Sequence, residues 1–136
     1  MIVVYPASKD GSEYTIPNSV TTIGPGAFSC CTSLASIDIP NSVTTIGEEA
    51  FRFCKSLASV NIGESVTTIG YGAFDDCDAI TSVTCLAKEC PVYDDKVWWC
   101  TMFSVYKTAT LYVPKQSIDA YKTTDPWSNF VNVHRH

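Results

Sequence analysis

The sequence predicts a β-rich α/β solenoid, in which the chain winds into stacked coils of short strands and short helical turns. Three observations support this fold class. The stretch IPNSVTTIGPGAF, which begins at Ile16, returns as IPNSVTTIGEEAF at Ile39 and as IGESVTTIGYGAF at Ile62. Both steps are 23 residues long, and the same apolar positions recur in every copy. One such unit cannot enclose a core alone, but stacked units bury one another's open faces.

Apolar residues coincide at corresponding positions of the three copies. They are Val20/Val43/Val66, Ile23/Ile46/Ile69, Ala27/Ala50/Ala73, Phe28/Phe51/Phe74, Leu34/Leu57/Ile80 and Ile37/Val60/Val83. A fixed apolar skeleton of this kind predicts a continuous core that runs through the whole stack.

The first side of each coil is predicted to be a short strand. The segments SIDI at 36–39 and SVNI at 59–62 alternate polar and apolar residues and are rich in β-branched side chains, which is typical of a half-buried strand. We expect Ile37 and Ile39 to point inward, and Ser36 and Asp38 to face solvent. Pro40 lacks a backbone N–H and is expected to end the strand.

The other two sides of the coil follow within the same repeat. VTTIG is predicted to be a second extended segment, which ends at a glycine suited to a turn, such as Gly47. In the second copy GEEAFRFCKSL follows and places Phe51, Cys54 and Leu57 at helical offsets. This spacing predicts one or two helical turns. Strand, second strand and short helix together make one coil.

The three copies share the pattern I-P-x-S-V-T-x-I-G-x-x-A-F-x-x-C-x-x-L-x-x-I-x-I. In the second copy it is carried by Ile39, Pro40, Ser42, Val43, Ile46, Gly47, Ala50, Phe51, Cys54, Leu57, Val60 and Ile62. The third copy departs from it at Gly63, in place of proline, and at Ile80, in place of leucine. Over about residues 16–85 the chain resembles the leucine-rich repeats of the BspA-like group of bacterial surface proteins. The resemblance implies a right-handed leucine-rich repeat coil.

The same resemblance implies that residues 1–136 form a single leucine-rich repeat domain. Residues 1–15 would supply its initial strand, residues 16–84 its three repeats, and residues 85–136 a terminal repeat and a C-terminal cap. The segments VVYPASKDGSEYTIP and ATLYVPKQSIDAYKTTDPWSNF are similar to the starting and terminating segments of that family. We expect the chain to be a fragment of a longer protein.

The C-terminal segment carries signals of its own. TLYVP at 110–114 echoes SIDIP and is predicted to be the final strand of the sheet. KQSIDAYK after Pro114 predicts a short helix, and DPW at 125–127 predicts a turn that packs its tryptophan over the last coil. The aromatic residues available as a cover are Trp98, Trp99, Phe103, Trp127 and Phe130. The alternative is an aromatic ligand patch, but the last coil of a solenoid regularly needs such a cover.

Three of the seven cysteines share one repeat position: Cys31, Cys54 and Cys77. Equivalent side chains of stacked coils point the same way, which is poor geometry for a disulfide, so we expect a ladder of buried, unbridged thiols. Cys85 occupies the strand position of Ile62 and is expected in the core.

The remaining cysteines lie outside this ladder. Cys30 has no counterpart in the other repeats and is expected near the surface. Cys90 and Cys100 flank the segment PVYDDKVWW beyond the repeats. They are the candidates for a disulfide, which would close a loop in an oxidising compartment.

The charge balance argues against several function classes. The net charge is −5 and the sequence pI is about 4.8. The negative charge and the lack of a cluster of Lys and Arg argue against a nucleic-acid partner. No apolar run approaches the roughly 20 residues of a membrane helix, so no membrane insertion is expected. The opening MIVVYPASKDG lacks the basic head of a signal peptide.

Catalytic and metal sites are not expected. No Cys-x-x-Cys pair is present, and the two histidines, His134 and His136, are expected at a frayed end where no partner holds them. The aspartates of DDCD at 75–78 and of DD at 94–95 are candidates for weak calcium binding. A solvated turn explains them better, because the EF-hand spacing is absent. The sequence predicts no enzyme and no cofactor.

A candidate binding surface lies on the outward side of the strands. Its first column is Glu13, Ser36, Ser59, Ser82 and Thr110, and its second column is Thr15, Asp38, Asn61, Thr84 and Tyr112. The predicted binding residues are Glu13, Asp38, Asn61, Thr84 and Tyr112. Acid, amide, hydroxyl and phenol groups suit hydrogen bonding to a protein or glycan. A sheet that is merely solvated would show the same alternation of polar and apolar residues.

By resemblance, domains of this kind are adhesion or recognition modules that are secreted or displayed on the bacterial cell surface. We expect a protein or glycan ligand, and self-association through an exposed N-terminal coil is a further expectation. The alternative is a passive spacer that supports another domain of the same protein. A binder should carry a non-repetitive aromatic or charged patch, and Tyr112 is the one indication of it in the sequence.

Overall fold

The computed structural model of the chain describes residues 2–3, 12–93 and 103–136. Within these residues the strands form two sheets, and all pairings are parallel. The six-stranded sheet contains, in spatial order, β2 (Glu13–Thr15), β4 (Ser36–Ile39), β6 (Ser59–Ile62), β8 (Ser82–Cys85), β10 (Thr110–Val113) and β11 (Asn132–Arg135). The five-stranded sheet contains β1 (Ile2–Val3), β3 (Thr22–Ile23), β5 (Thr45–Ile46), β7 (Thr68–Ile69) and β9 (Val92–Tyr93). Through the repeats the chain alternates between the two sheets, which confirms the predicted solenoid.

Neighbouring strands of the six-stranded sheet are in register at the step of the repeat. Ile37 lies beside Val60, and Asp38 lies beside Asn61, 23 residues further on. Each repeat position therefore becomes a column along the stack. Ile37 and Ile39 are buried whereas Asp38 is exposed, so the predicted orientation of the strand is confirmed.

The third side of each coil consists of consecutive hydrogen-bonded turns. The N–H of Ala27 donates to the carbonyl of Gly24 at 3.1 Å, whereas the N–H of Phe28 donates to Ala50 of the next coil at 2.6 Å. Local and inter-coil bonds alternate in this way, so the third side also joins neighbouring coils. The residues with positive φ are Gly26, Cys30, Glu49, Phe53, Gly72 and Asp76. They divide the predicted helical segment into single turns, because a right-handed helix requires negative φ.

Phenylalanines at one repeat position form a stack in the centre of the core. The ring centroids of Phe28 and Phe51 are 5.0 Å apart, and those of Phe51 and Phe74 are 5.2 Å apart. The interplanar angles are 5° and 1°. Tyr14 and Tyr93 continue the row at its two ends with inclined rings. The central, buried position predicted for Phe51 is confirmed.

Two glycines of the repeat lie where the backbones of neighbouring coils touch. A Cβ atom on Gly47 would lie 2.7 Å from the nitrogen of Pro25, and one on Gly70 would lie 2.6 Å from the nitrogen of Glu48. Neither glycine has a positive φ. The sequence suggests that this position serves a turn, whereas in the structure a glycine is needed for close approach of two backbones.

The ladder cysteines are buried and unbridged, as predicted. The thiol of Cys54 donates to the carbonyl of Phe28 at 3.1 Å, and that of Cys77 donates to Phe51 at 2.9 Å. Each of these thiols is therefore bonded to the backbone of the preceding coil. Burial, and to a lesser extent the neighbouring Cys54 thiol, raises the pKa of Cys31 to about 11. A protonated thiol in the core is a poor nucleophile.

The other cysteines divide between the core and the surface. Cys85 is buried beside Ile62, and Cys30 is exposed, both as predicted. Cys90 is half-buried. Cys100 lies outside the described residues, so a bridge between Cys90 and Cys100 stays a prediction.

The prediction of the final strand is wrong. Strand β11 follows β10 in the sheet and pairs with it in parallel. It includes His134, and the N–H of His136 donates to the carbonyl of Val113 at 2.7 Å, so the histidines are held by the sheet and are not frayed. The sequence VNVHRH does not match the repeat pattern. Its pairing with β10 depends on long-range contacts, which a local sequence pattern does not predict.

Two short helices precede β11. They are α1 (Phe103–Thr108) and α2 (Ile118–Thr123), and a 3₁₀ turn at Lys115–Ser117 leads into α2. The predicted helix after β10 is thus confirmed. No helix in the described part of the chain has the length and apolar character that a membrane span requires.

Buried aromatic residues attach the C-terminal segment to the last coil. The Tyr121 hydroxyl donates to the carbonyl of Ala87 at 2.7 Å, and Trp127 Nε1 donates to Pro91 at 2.9 Å. Phe130 is also buried. The predicted role of Trp127 and Phe130 as a cover is confirmed. Trp98 and Trp99 lie outside the described residues, and the side chain of Phe103 is likewise not described.

Candidate recognition surface

The outward side chains of the six-stranded sheet form the two columns that the sequence predicts. The register aligns Glu13, Ser36, Ser59, Ser82 and Thr110 in the first column and Thr15, Asp38, Asn61, Thr84 and Tyr112 in the second. Strand β11 adds a sixth row, Asn132 and His134, which the sequence-based prediction missed. At about 4.8 Å between strands, the columns extend over about 24 Å.

Three of the five predicted binding residues lie together. Asp38, Asn61 and Thr84 are consecutive in the second column. The side-chain amide of Asn61 donates from Nδ2 to Oδ1 of Asp38 at 2.5 Å. Asp38 and Asn61 are exposed and Thr84 is half-buried. Because a carboxylate is a strong acceptor, this bond restrains both side chains in one orientation on the sheet surface.

The other two predicted residues lie apart from this group. Tyr112 follows Thr84 in the second column and is half-buried. Its ring centroid lies 6.2 Å from that of His134, at an interplanar angle of 40°. Glu13 belongs to the first column and lies on β2, at the opposite edge of the sheet. The strand face therefore has a polar segment followed by an aromatic pair, with Glu13 remote from both.

An open groove of about 330 Å³ lies at the ends of the central strands, beside the second column. We name it the Gly63 groove. Its lining residues are Asp38, Ile39, Asn41, Asn61, Ile62, Gly63, Thr84, Leu86 and His136. The volume is within the range of about 300–1,000 Å³ that is usual for small-molecule sites. Its position coincides with the departure of the third copy from the consensus, where Gly63 replaces proline. That departure is the signal in the sequence that marks the groove.

The turn side of the stack carries charged groups that pair with one another. Arg52 lies 3.3 Å from Glu49 and 3.9 Å from Asp76, and Lys55 lies 3.7 Å from Asp78. Two aspartates of the DDCD segment thus face cationic side chains of the neighbouring coil. The DD segment at 94–95 lies outside the described residues. In the described ranges, no group of three or more His, Cys, Asp or Glu is placed to hold a metal ion.

The family model described as "BspA type Leucine rich repeat region (6 copies)" matches residues 7–98, which is most of the chain. The chain belongs to the BspA-type leucine-rich repeat family. This family is associated with bacterial surface proteins, and leucine-rich repeat proteins are generally recognition or scaffold modules. No curated protein matches the chain.

Two solved structures of leucine-rich repeat proteins are similar to this BspA-type chain. The protein from Eubacterium ventriosum is 27% identical with a TM-score of 0.65, over 98% of this chain and 35% of the other. The protein from T. pallidum is 20% identical with a TM-score of 0.48, over 99% of this chain and 69% of the other. The chain thus spans about a third of the length of the Eubacterium ventriosum structure.

Within this BspA-type stack, chemical variety is concentrated on the strand face. The inward strand positions stay apolar from β4 to β10. The second column, in contrast, changes at almost every row, from acid to amide to hydroxyl to phenol to imidazole. A constant core under a varied surface is the arrangement by which repeat proteins present an extended recognition face.

Proposed function

We propose that the chain is a non-catalytic recognition and adhesion module, secreted or displayed on a cell surface, which binds a protein or glycan through its strand face. The observation that carries this proposal is the polar segment Asp38–Asn61–Thr84 beside the Gly63 groove. Asp38 and Asn61 are exposed and orient each other by a hydrogen bond, Thr84 beside them is half-buried, and all three residues stand on strands rather than loops. Rigid elements hold a binding constellation more accurately than loops do.

The family supports both the location and the class of function, since it is associated with bacterial surface proteins. The turn side is the less suitable face, because Arg52 and Lys55 are engaged by carboxylates of their own chain. Tyr112, next to the polar segment, supplies the aromatic group that interfaces favour as an anchor.

A binding screen tests the proposal. The purified chain is passed over immobilised extracellular-matrix proteins and over an array of glycans, and each ligand found is tested again with the triple variant Asp38→Ala/Asn61→Ala/Tyr112→Ala. We expect this variant to lose binding and to keep its melting temperature, because none of the three side chains is buried in the core.

A matched control lies on the same three strands. The variant Ser36→Ala/Ser59→Ala/Thr110→Ala alters the first column and is expected to retain binding. If a ligand binds the Asp38/Asn61/Tyr112 variant as well as the native chain, the second column is not the site, and the turn side becomes the next surface to test.

A passive spacer is the second candidate function. It is favoured by the hydrogen bonds that join neighbouring coils on all three sides, since they make the stack a stiff element. A spacer would bind nothing in the screen, and surface substitutions in either column would then be without effect on the parent protein.

A further inference from the structure

The Gly63 groove lies where the backbone of the third coil meets that of the second. The first two copies have Pro17 and Pro40 at this position, and the third has Gly63. A Cβ atom on Gly63 would lie 2.7 Å from the carbonyl oxygens of Ile39 and Pro40, so the backbone of the third coil lies directly against the second. A side chain at position 63 would therefore meet backbone atoms, and the groove lies beside this contact, with Leu86 bounding it on the next coil.

The polar groups along the groove offer donors and acceptors in alternation. Asp38 accepts a hydrogen bond from Asn61 at Oδ1, and an ionised carboxylate can accept several such bonds. The Asn61 side chain keeps a carbonyl acceptor and a second N–H, and the hydroxyl of Thr84 donates and accepts. A ligand hydroxyl also donates and accepts, so two adjacent hydroxyls can satisfy the carboxylate and the amide at once.

We propose that the Gly63 groove binds a neutral sugar ring, with two neighbouring hydroxyls on Asp38 and Asn61 and its C–H face toward Leu86. This inference rests on the strand-face function proposed above and adds the place and the chemical class of the ligand. An anionic sugar would be repelled by the Asp38 carboxylate. A cationic ligand would be attracted only weakly, because the charge of the Asp38 carboxylate is already stabilised by the hydrogen bond from Asn61. The volume of about 330 Å³ accommodates one or two rings.

A titration followed by ¹H–¹⁵N NMR of the labelled chain tests the ligand class. The probes are glucose, galactose, mannose and their neutral disaccharides, with glucosamine and glucuronate as cationic and anionic counterparts of one ring. We expect a neutral sugar to shift the Gly63 amide and the side-chain amides of Asn41 and Asn61. The absence of shifts in the groove with every neutral sugar at about 50 mM overturns the inference, and so does a response to glucosamine alone.

Substitutions in the groove provide the second arm of the experiment. Asn61→Ala is expected to weaken sugar binding about tenfold, the loss that corresponds to one good hydrogen bond. Ser59→Ala, on the same strand but in the first column, is the matched control and should bind normally. Thr84→Val removes the hydroxyl next to Asn61 and should also weaken sugar binding. Unchanged sugar shifts in Asn61→Ala would also overturn the inference.

The results separate this inference from the function on which it rests. If no sugar binds the groove but the second-column triple variant loses the binding of a matrix protein, the carbohydrate inference falls and the strand-face function stands. If that triple variant retains all its ligands, the strand-face function itself falls.

Discussion

Replacing Phe51 by alanine is expected to lower the free energy of unfolding by about 3–5 kcal/mol, as large-to-small substitutions in a core do. The side chain is fully buried, and both faces of its ring are stacked, on Phe28 at 5.0 Å and on Phe74 at 5.2 Å. Each neighbouring ring is fixed by its own coil, so the cavity cannot collapse easily. The two lost aromatic contacts, at about 0.5–1.5 kcal/mol each, place the loss in the upper part of the range.

Urea unfolding followed by circular dichroism measures the effect, and Phe53→Ala is the matched control. Phe53 lies in the same coil but is half-exposed, and its ring contacts are the cations of Arg52 at 4.7 Å and Lys55 at 5.5 Å. Such contacts are worth about 0.5–1 kcal/mol at exposed sites. Phe74→Ala should cost less than Phe51→Ala, because one side of that ring meets an inclined tyrosine. A loss below about 1 kcal/mol for Phe51→Ala would refute the stacked core.

Three further predictions follow from the packing. Gly70→Ala should destabilise the chain by more than the roughly 1 kcal/mol typical of point substitutions, because its Cβ would lie 2.6 Å from the backbone of the preceding coil; an unchanged melting temperature would contradict the close approach. Tyr121→Phe should cost about 1–3 kcal/mol in urea unfolding, since it leaves the buried carbonyl of Ala87 without its donor; equal stability would show that water replaces the hydroxyl. Cys30 should react rapidly with a thiol reagent and Cys31 only on unfolding. Rapid labelling of Cys31 in the native chain would refute its burial. Burial raises the pKa of the Cys31 thiol from 9.0 to about 11, so the contribution of the protonated thiol to stability is present below pH 9 and is lost as the pH rises toward 11.

The equal steps of the repeat made much of the fold predictable. Because 23 residues separate every copy, the sequence alone places Asp38 beside Asn61 and Phe51 between its two equivalents. The columns of the strand face follow from the same register. The equal step predicts the second column from Thr15 to Thr84, whereas Tyr112, 28 residues further on, is predicted from the likeness of TLYVP to SIDIP.

Other features of the fold and of the site could not be predicted from the repeat. The residues with left-handed backbone at one repeat position are Cys30, Phe53 and Asp76, which share a conformation but no side-chain chemistry. No sequence signal therefore identifies the turn at this position. The pairing of β11 and the inclusion of His136 in the groove depend on contacts far along the chain. The groove also lies beside the backbone contact at Gly63, which a search for functional groups does not find.

The direction of the hydrogen bonds has a mechanical consequence. On all three sides of the coils, backbone bonds run to the neighbouring coil and thus along the axis of the stack. A tension applied between the two ends would break the bonds of one interface at a time and peel coils from an end. Each 23-residue coil occupies one strand spacing, about 5 Å, along the axis of the stack, and once peeled off it would extend to about 75 Å of chain. The protein would lengthen in steps under load, while the coils still stacked kept their strand face intact.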